Sequence, residues 1–230
     1  MQEFSIIQKI SIWVIPVLFA ITIHEVAHGW VARRFGDSTA FMLGRLSLNP
    51  FKHIDPVGTV VVPALMLLMQ APAFGWAKPV PVNFNNLRNP KRDMIYVAAA
   101  GPLSNLVMAL FWALIVRLGM SLVTTGAWYS MPLVYMGSAG IFINLILMVL
   151  NLFPLLPLDG GRVLAGLLPG PLAWKYSRIE PYGVWILIAL LMSGILFRIL
   201  TPFLSIAMSI VSPITGLSAM SIEKIVFSLM

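Results

Sequence analysis

Residues 4–31 read FSIIQKISIWVIPVLFAITIHEVAHGWV, and Arg33 and Arg34 close the run. Within this long apolar stretch stand His24, Glu25 and His28. The stretch reads as a membrane span rather than a cleaved leader, because the most informative residues of the chain lie inside it. The whole composition agrees. Of 230 residues, 59% are apolar and 10% charged, against about 25% charged in an ordinary soluble domain. Mean hydropathy is +0.92. So few charged side chains cannot cover the surface of a soluble protein of 25.3 kDa. The same numbers exclude a disordered chain. The fold class expected is an all-α polytopic membrane protein.

Outward from this run the chain alternates. A polar stretch covers 36–56, and Gly36-Asp37 reads as a helix stop. A short apolar run at 57–70 is followed by a Pro- and Asn-rich segment at 71–93. Long apolar runs occupy 94–116 and 131–158, and a polar connection follows at 160–180. A further span is expected over 182–200. The tail, 201–230, is interrupted by Pro202, Pro213 and Gly216, and reads as a short span plus an interfacial helix from Thr215. There is no internal repeat. The expectation is one membrane-embedded domain with a core at 5–165 and a transmembrane tail at 181–230.

Net charge is +7. Eleven of the fifteen basic residues fall in three groups, at 33–52, 78–92 and 162–178. They bracket apolar runs and form no stripe interleaved with aromatics, so they read as membrane orientation rather than nucleic-acid binding. Placing all three groups on the cytoplasmic side fixes a parity. The stretch 57–70 must then enter the membrane and return without a net crossing. Its fourteen residues would make a helix of about 21 Å, short of a ~30 Å hydrocarbon core. Pro79 and Pro81 on the return path forbid regular helix. A re-entrant or β-hairpin element between the first and second core helices is therefore expected, beside a cavity; the alternative is an ordinary span followed by a cationic outer loop.

His24-Glu25-Val26-Ala27-His28 is an H-E-x-x-H pattern on an expected helix. Residues four apart share a helical face, so both imidazoles can reach one ion. Zinc accepts imidazole nitrogen and prefers four ligands. Glu25 is placed to take a proton from a metal-activated water. Ionisable residues in a membrane helix are costly and functional by default. A third protein ligand is needed. Asp159, behind Pro154 and Pro157 at the end of the 131–158 run, is the favoured donor, with His53 as the alternative. Cysteine is absent, which removes thiolate ligands and nucleophiles.

With these residues quoted, the chain resembles the site-2 proteases, zinc intramembrane metalloproteases, in a compact prokaryotic branch without PDZ or CBS domains. The resemblance rests on His24 to His28, on Gly101-Pro102-Leu103-Ser104-Asn105, and on Asn151 through Leu158-Asp159-Gly160-Gly161-Arg162. Phe74 to Asn83 and His53-Ile54-Asp55-Pro56-Val57-Gly58 add to it. It implies Zn²⁺ held by His24, His28 and Asp159, with Glu25 as catalytic base and Asn151 at the substrate or oxyanion. Asn105 is implied either beside the active site or in helix packing. The implied activity is cleavage of transmembrane segments of membrane-anchored proteins in a multi-pass plasma-membrane enzyme, with the active site near the cytoplasmic side. An unwound substrate exposes backbone groups that are costly in lipid. An edge at Gly44–Leu48 or Lys78–Asn83, with Lys78, Val80 and Val82, would pair them. The absent gating modules leave room for a separate regulatory partner or a homo-oligomer. A metal transporter or a catalytically silent scaffold would use the same ligands. Glu25 argues against the transporter, which needs no base beside its metal.

Overall fold

The computed structural model describes residues 4–68 and 78–229. Helix α1, Ile6–Arg34, is the H-E-x-x-H helix. It stops at Gly36, whose φ of +116° is open only to glycine at low cost, and the Asp37 N–H returns to the Ala32 carbonyl at 3.0 Å. A short α2, Thr39–Met42, and a 3₁₀ turn, Pro50–Lys52, follow. Asp55 then accepts from the Val57 and Gly58 N–H groups at 2.9 and 2.7 Å. It thereby caps a π-helical turn, Pro56–Val61, that runs into α3, Val62–Leu68. The described part of this element measures about 20 Å as helix. Positions 69–77, which include the start of the expected return path, lie outside the described residues. No strand occurs among the described residues, so the β-hairpin alternative has no counterpart there.

The remaining helices are α4 Pro90–Val123, α5 Ser130–Asn151, α6 Asp159–Leu167, α7 Gly170–Ser177, α8 Glu180–Met192, α9 Ile195–Thr215 and α10 Ala219–Leu229. Among the described residues α1, α4, α5 and α9 are long and apolar enough to cross a membrane. The fold is all-α and polytopic. One expectation needs correction. The span foreseen at 182–200 is broken at Gly194, which has a φ of +72° and separates the thirteen-residue α8 from α9. The fourth long helix runs instead through Pro202 and Pro213, which membrane helices tolerate where neighbours satisfy the freed carbonyls. The helix expected at the end of the chain is α10, and one of its faces is packed. In α10 the side chains of Ile222, Val226 and Leu229, one turn apart, are buried.

The chain forms two compact units. One comprises Met1–Ala20, Leu103–Val149 and Thr201–Met230. Its core holds Trp112, Ile141, Leu145, Met208 and Ile222. Gly137 and Gly140 let α5 lie on α4, since a Cβ there would meet Val116 Cγ2 at 2.6 Å and the Trp112 ring at 2.3 Å. Fully buried Asn105 donates to the Ala20 carbonyl at 3.2 Å and to Asn144 Oδ1 at 2.9 Å, while Asn144 donates to the Gly140 carbonyl. These bonds tie helices together inside this unit. The other unit comprises Ile21–Pro102 and Leu150–Leu200.

In the second unit the extended residues 78–83 are clamped from several sides. Arg45 donates to the Lys52, Lys78 and Pro79 carbonyls at 2.7, 3.0 and 3.3 Å. The Lys78 N–H reaches the His53 carbonyl at 2.9 Å. Asp37, only 1% exposed, accepts from the Asn83 N–H at 2.8 Å, from Asn86 Nδ2 at 3.1 Å and from the Thr39 N–H and hydroxyl. Burial pushes the Asp37 carboxyl up, but these donors favour the charged form and hold it below its usual range. A lowered folded-state pKa gives stability that is complete above the unfolded value of about 3.9 and lost as pH falls through the folded value. We expect Asp37→Ala to cost about 2 kcal/mol at pH 7, and the gap from wild type to narrow as pH falls below about 4. Unfolding in detergent at both pH values checks this; a gap unchanged between pH 7 and 3 contradicts it.

Candidate metal centre

The centre is built from α1, α4 and the first turn of α6. His24 and His28 lie one turn apart on α1 and Asp159 opens α6. Their side chains are 10%, 12% and 14% exposed. His24 Nε2 and His28 Nε2 are 3.1 Å apart, and Asp159 Oδ2 is 3.2 Å from the first and 3.3 Å from the second. The ring Nδ1 of His28 lies 2.7 Å from the Val97 carbonyl on α4. A carbonyl only accepts, so Nδ1 carries the proton, and in the neutral ring Nε2 turns a lone pair toward the other two atoms. A backbone partner of this kind is what fixes the tautomer of a metal-binding histidine.

The His28 Nε2 lone pair and the Asp159 carboxylate oxygen, 3.3 Å apart, repel unless a cation or a proton stands between them. Asp159 Oδ2 is buried and makes no hydrogen bond, an orphaned acceptor that costs free energy if nothing else satisfies it. The separations match a tetrahedral ion: bonds of about 2.0–2.1 Å place neighbouring ligand atoms about 3.3 Å apart. Two imidazoles and a carboxylate, with one position left open, form the donor set of a catalytic zinc site. Among the described residues this is the one group of three such donors.

Glycines make room for it. A Cβ on Gly101 would stand 2.4 Å from His28 Nε2 and 2.6 Å from His24 Nε2. Gly101 thus permits the close passage of α4 beside the imidazoles. At Gly160 and Gly161 a Cβ would lie 2.2 Å from the Leu152 carbonyl oxygen and 2.5 Å from the Leu156 N. The two glycines thus seat α6 on the turn that follows α5 and set the position of Asp159. Arg162 does not pair with Asp159; it reaches Glu180 Oε1 at 3.1 Å.

A cavity of about 390 Å³ opens on the cluster, lined by His24, Glu25, His28, Asn151 and Asp159 and walled by Pro79, Val80, Val82, Phe84, Ala98 and Arg162. Glu25 Oε2 accepts the Val80 N–H at 2.7 Å, a contact the sequence did not disclose. Pro102 has no N–H to offer the Ala98 carbonyl, which leaves a backbone acceptor on α4 where that helix lines the cavity. Some candidates lie elsewhere. Asn105 sits in the helix-packing network described above and is not part of the lining. Lys78 is exposed and engaged through its backbone. His53, the alternative ligand, is buried with Nε2 at 2.8 Å from the Ser47 carbonyl and is not in the cluster.

Fold and site together define a polytopic helical protein with a histidine–histidine–aspartate centre and a carboxylate beside it. The chain belongs to the zinc metalloprotease family of which YwhC is a member. It is 38% identical over 194 residues to the Bacillus subtilis protein named "Putative zinc metalloprotease YwhC", covering 84% of this chain and 85% of that one. With "Putative zinc metalloprotease Rip2" of Mycolicibacterium smegmatis it shares 28% over 184 residues, 79% of this chain and 66% of that one. The Mycobacterium tuberculosis Rip2 matches at 28% over 143 residues, 62% and 52%. No family model matches the chain, and no solved structure matches it.

We expect Gly101→Ala to lower bound zinc at least about tenfold, because the added methyl occupies the space between the ligands and α4. Metal analysis of the purified variant, with helical content checked by circular dichroism, reads this; full zinc occupancy contradicts it.

Proposed function

We propose that the chain is an intramembrane zinc endopeptidase of the site-2 type, acting on transmembrane segments of other membrane proteins. The observation that carries this reading is the placement of Glu25 in the same cavity as His24, His28 and Asp159, on a helix apolar and long enough to span a bilayer. The family relationship supports the protease chemistry, and the basic clusters support a cytoplasmic-side centre in a multi-pass plasma-membrane protein.

Under this reading His24 Nε2, His28 Nε2 and Asp159 Oδ2 hold the zinc ion. When bound, zinc supplies Lewis acidity to the scissile carbonyl and to a water. The chain's own groups do the rest. The Val80 N–H fixes Glu25 through Oε2 and leaves Oε1 to take the proton of the attacking water, then to deliver it to the departing amine. Asn151, at the end of α5, lines the same cavity and is the residue we assign as donor to the developing oxyanion. The extended residues 79–82 offer an edge for an unwound substrate. Because the Val80 N–H is spent on Glu25 and Pro81 has none, the next amide available for pairing is that of Val82. Gly44–Leu48, the other segment considered for that edge, does not line the cavity.

The test uses the purified full-length chain and a panel of single-span substrates. Wild type should carry about one zinc per chain and lose activity to a chelator. Glu25→Gln should keep zinc and lose activity by at least about a hundredfold. Asp159→Asn should lose zinc. Undiminished turnover by Glu25→Gln contradicts the mechanism. Val82→Pro should reduce cleavage about tenfold or more with zinc retained; unchanged cleavage by this variant removes the edge from the account.

A further inference from the structure

A second cavity, of about 250 Å³, lies against α4, α6 and α7 and is almost wholly apolar. Its walls include Met94, Ala165, Ala173 and Phe84. Phe84 is shared with the metal cavity, and the Arg162 guanidinium lies 5.2 Å from its ring centre. The two cavities follow the same two helices. On α4, Pro90 and Met94 line the second and Val97 and Ala98 the first, at spacings that keep one face. On α6, Asp159 and Arg162 line the first and Ala165 the second. Next to Ala165, Gly166 lets α6 lie close on α4, since a Cβ there would stand 2.4 Å from Ile95 Cγ1.

We propose that this second cavity is a side-chain subsite of the same protease, taking a large apolar residue of the substrate; this rests on the reading above. The volume is below the roughly 300 Å³ at which small-molecule sites begin, a size suited to one side chain. Small residues, Ala165 and Ala173, leave the space open. Continuity through Phe84 places its occupant on the chain that enters the metal cavity. The distance sets the register. Gly101 is level with the ligand nitrogens, and Met94 is seven residues away along α4, about 10 Å at 1.5 Å per residue. An extended peptide covers that distance in three or four residues at about 3.3 Å each. The subsite therefore reads the substrate residue three or four positions from the cleaved bond.

The experiment scans one cleaved single-span substrate in detergent with the full-length chain. Phe and Gly are placed in turn at each of the five positions on either side of the scissile bond. Wild type should prefer Phe over Gly in kcat/KM by about tenfold or more at one position three or four residues away. Ala173→Phe should fill the cavity and bring that ratio to within about twofold, chiefly through KM for the Phe substrate, with one zinc still bound. Met94→Ala should enlarge it and move the preference toward Trp. A flat scan in wild type, or a ratio untouched by both variants, overturns the subsite. So does a preference that appears only on adding anionic lipid vesicles, which would make the occupant an acyl chain. If wild type binds zinc and cleaves nothing in any panel, the protease reading itself falls.

Discussion

The convergence of two imidazole nitrogens and one carboxylate oxygen on a single point is the constraint on which this site depends. His28 is held by the Val97 carbonyl so that Nε2 faces inward. His24 is delivered one turn earlier by helical geometry, and Asp159 comes from the start of a separate short helix. Such an arrangement is unfavourable as bare protein and becomes favourable around a divalent cation. The surrounding features serve the convergence. Gly101 gives α4 its close passage, Gly160 and Gly161 seat α6, and the turn between α5 and α6 aims Asp159 at the two rings.

A second layer concerns what stands opposite the metal. Residues 78–83 carry two prolines and form no helix, so their backbone groups must find partners individually. Arg45 and Asp37 supply partners from opposite ends of the segment, and the Val80 N–H is given to Glu25. The loop that walls the cavity is thus also the support of the proposed base. Gly29, beside His28, permits this approach: a Cβ there would meet Leu46 Cδ2 at 2.5 Å and Val80 Cγ1 at 2.7 Å.

Much of this was legible in the sequence, for identifiable reasons. Apolar runs with few charges give spanning helices directly, and the four-residue spacing of His24 and His28 gives a shared face whatever the tertiary structure. Asp159 was reachable because few acids exist in so apolar a chain and two prolines precede it. The misreading came where local signals compete with packing. Pro202 suggested a break, yet the break falls at Gly194, and the helix continues through the proline. The duties of Gly101, Gly29 and the Val80 N–H depend on long-range approaches of backbone to side chain, which carry no periodic signal.

X-ray absorption at the zinc edge of the purified, active chain tests the central claim most directly. The account predicts a light-atom shell at about 2.0–2.1 Å containing two imidazoles and carboxylate oxygen, and loss of the zinc signal in His24→Ala. A zinc shell without imidazole, or one unchanged by His24→Ala, would contradict it.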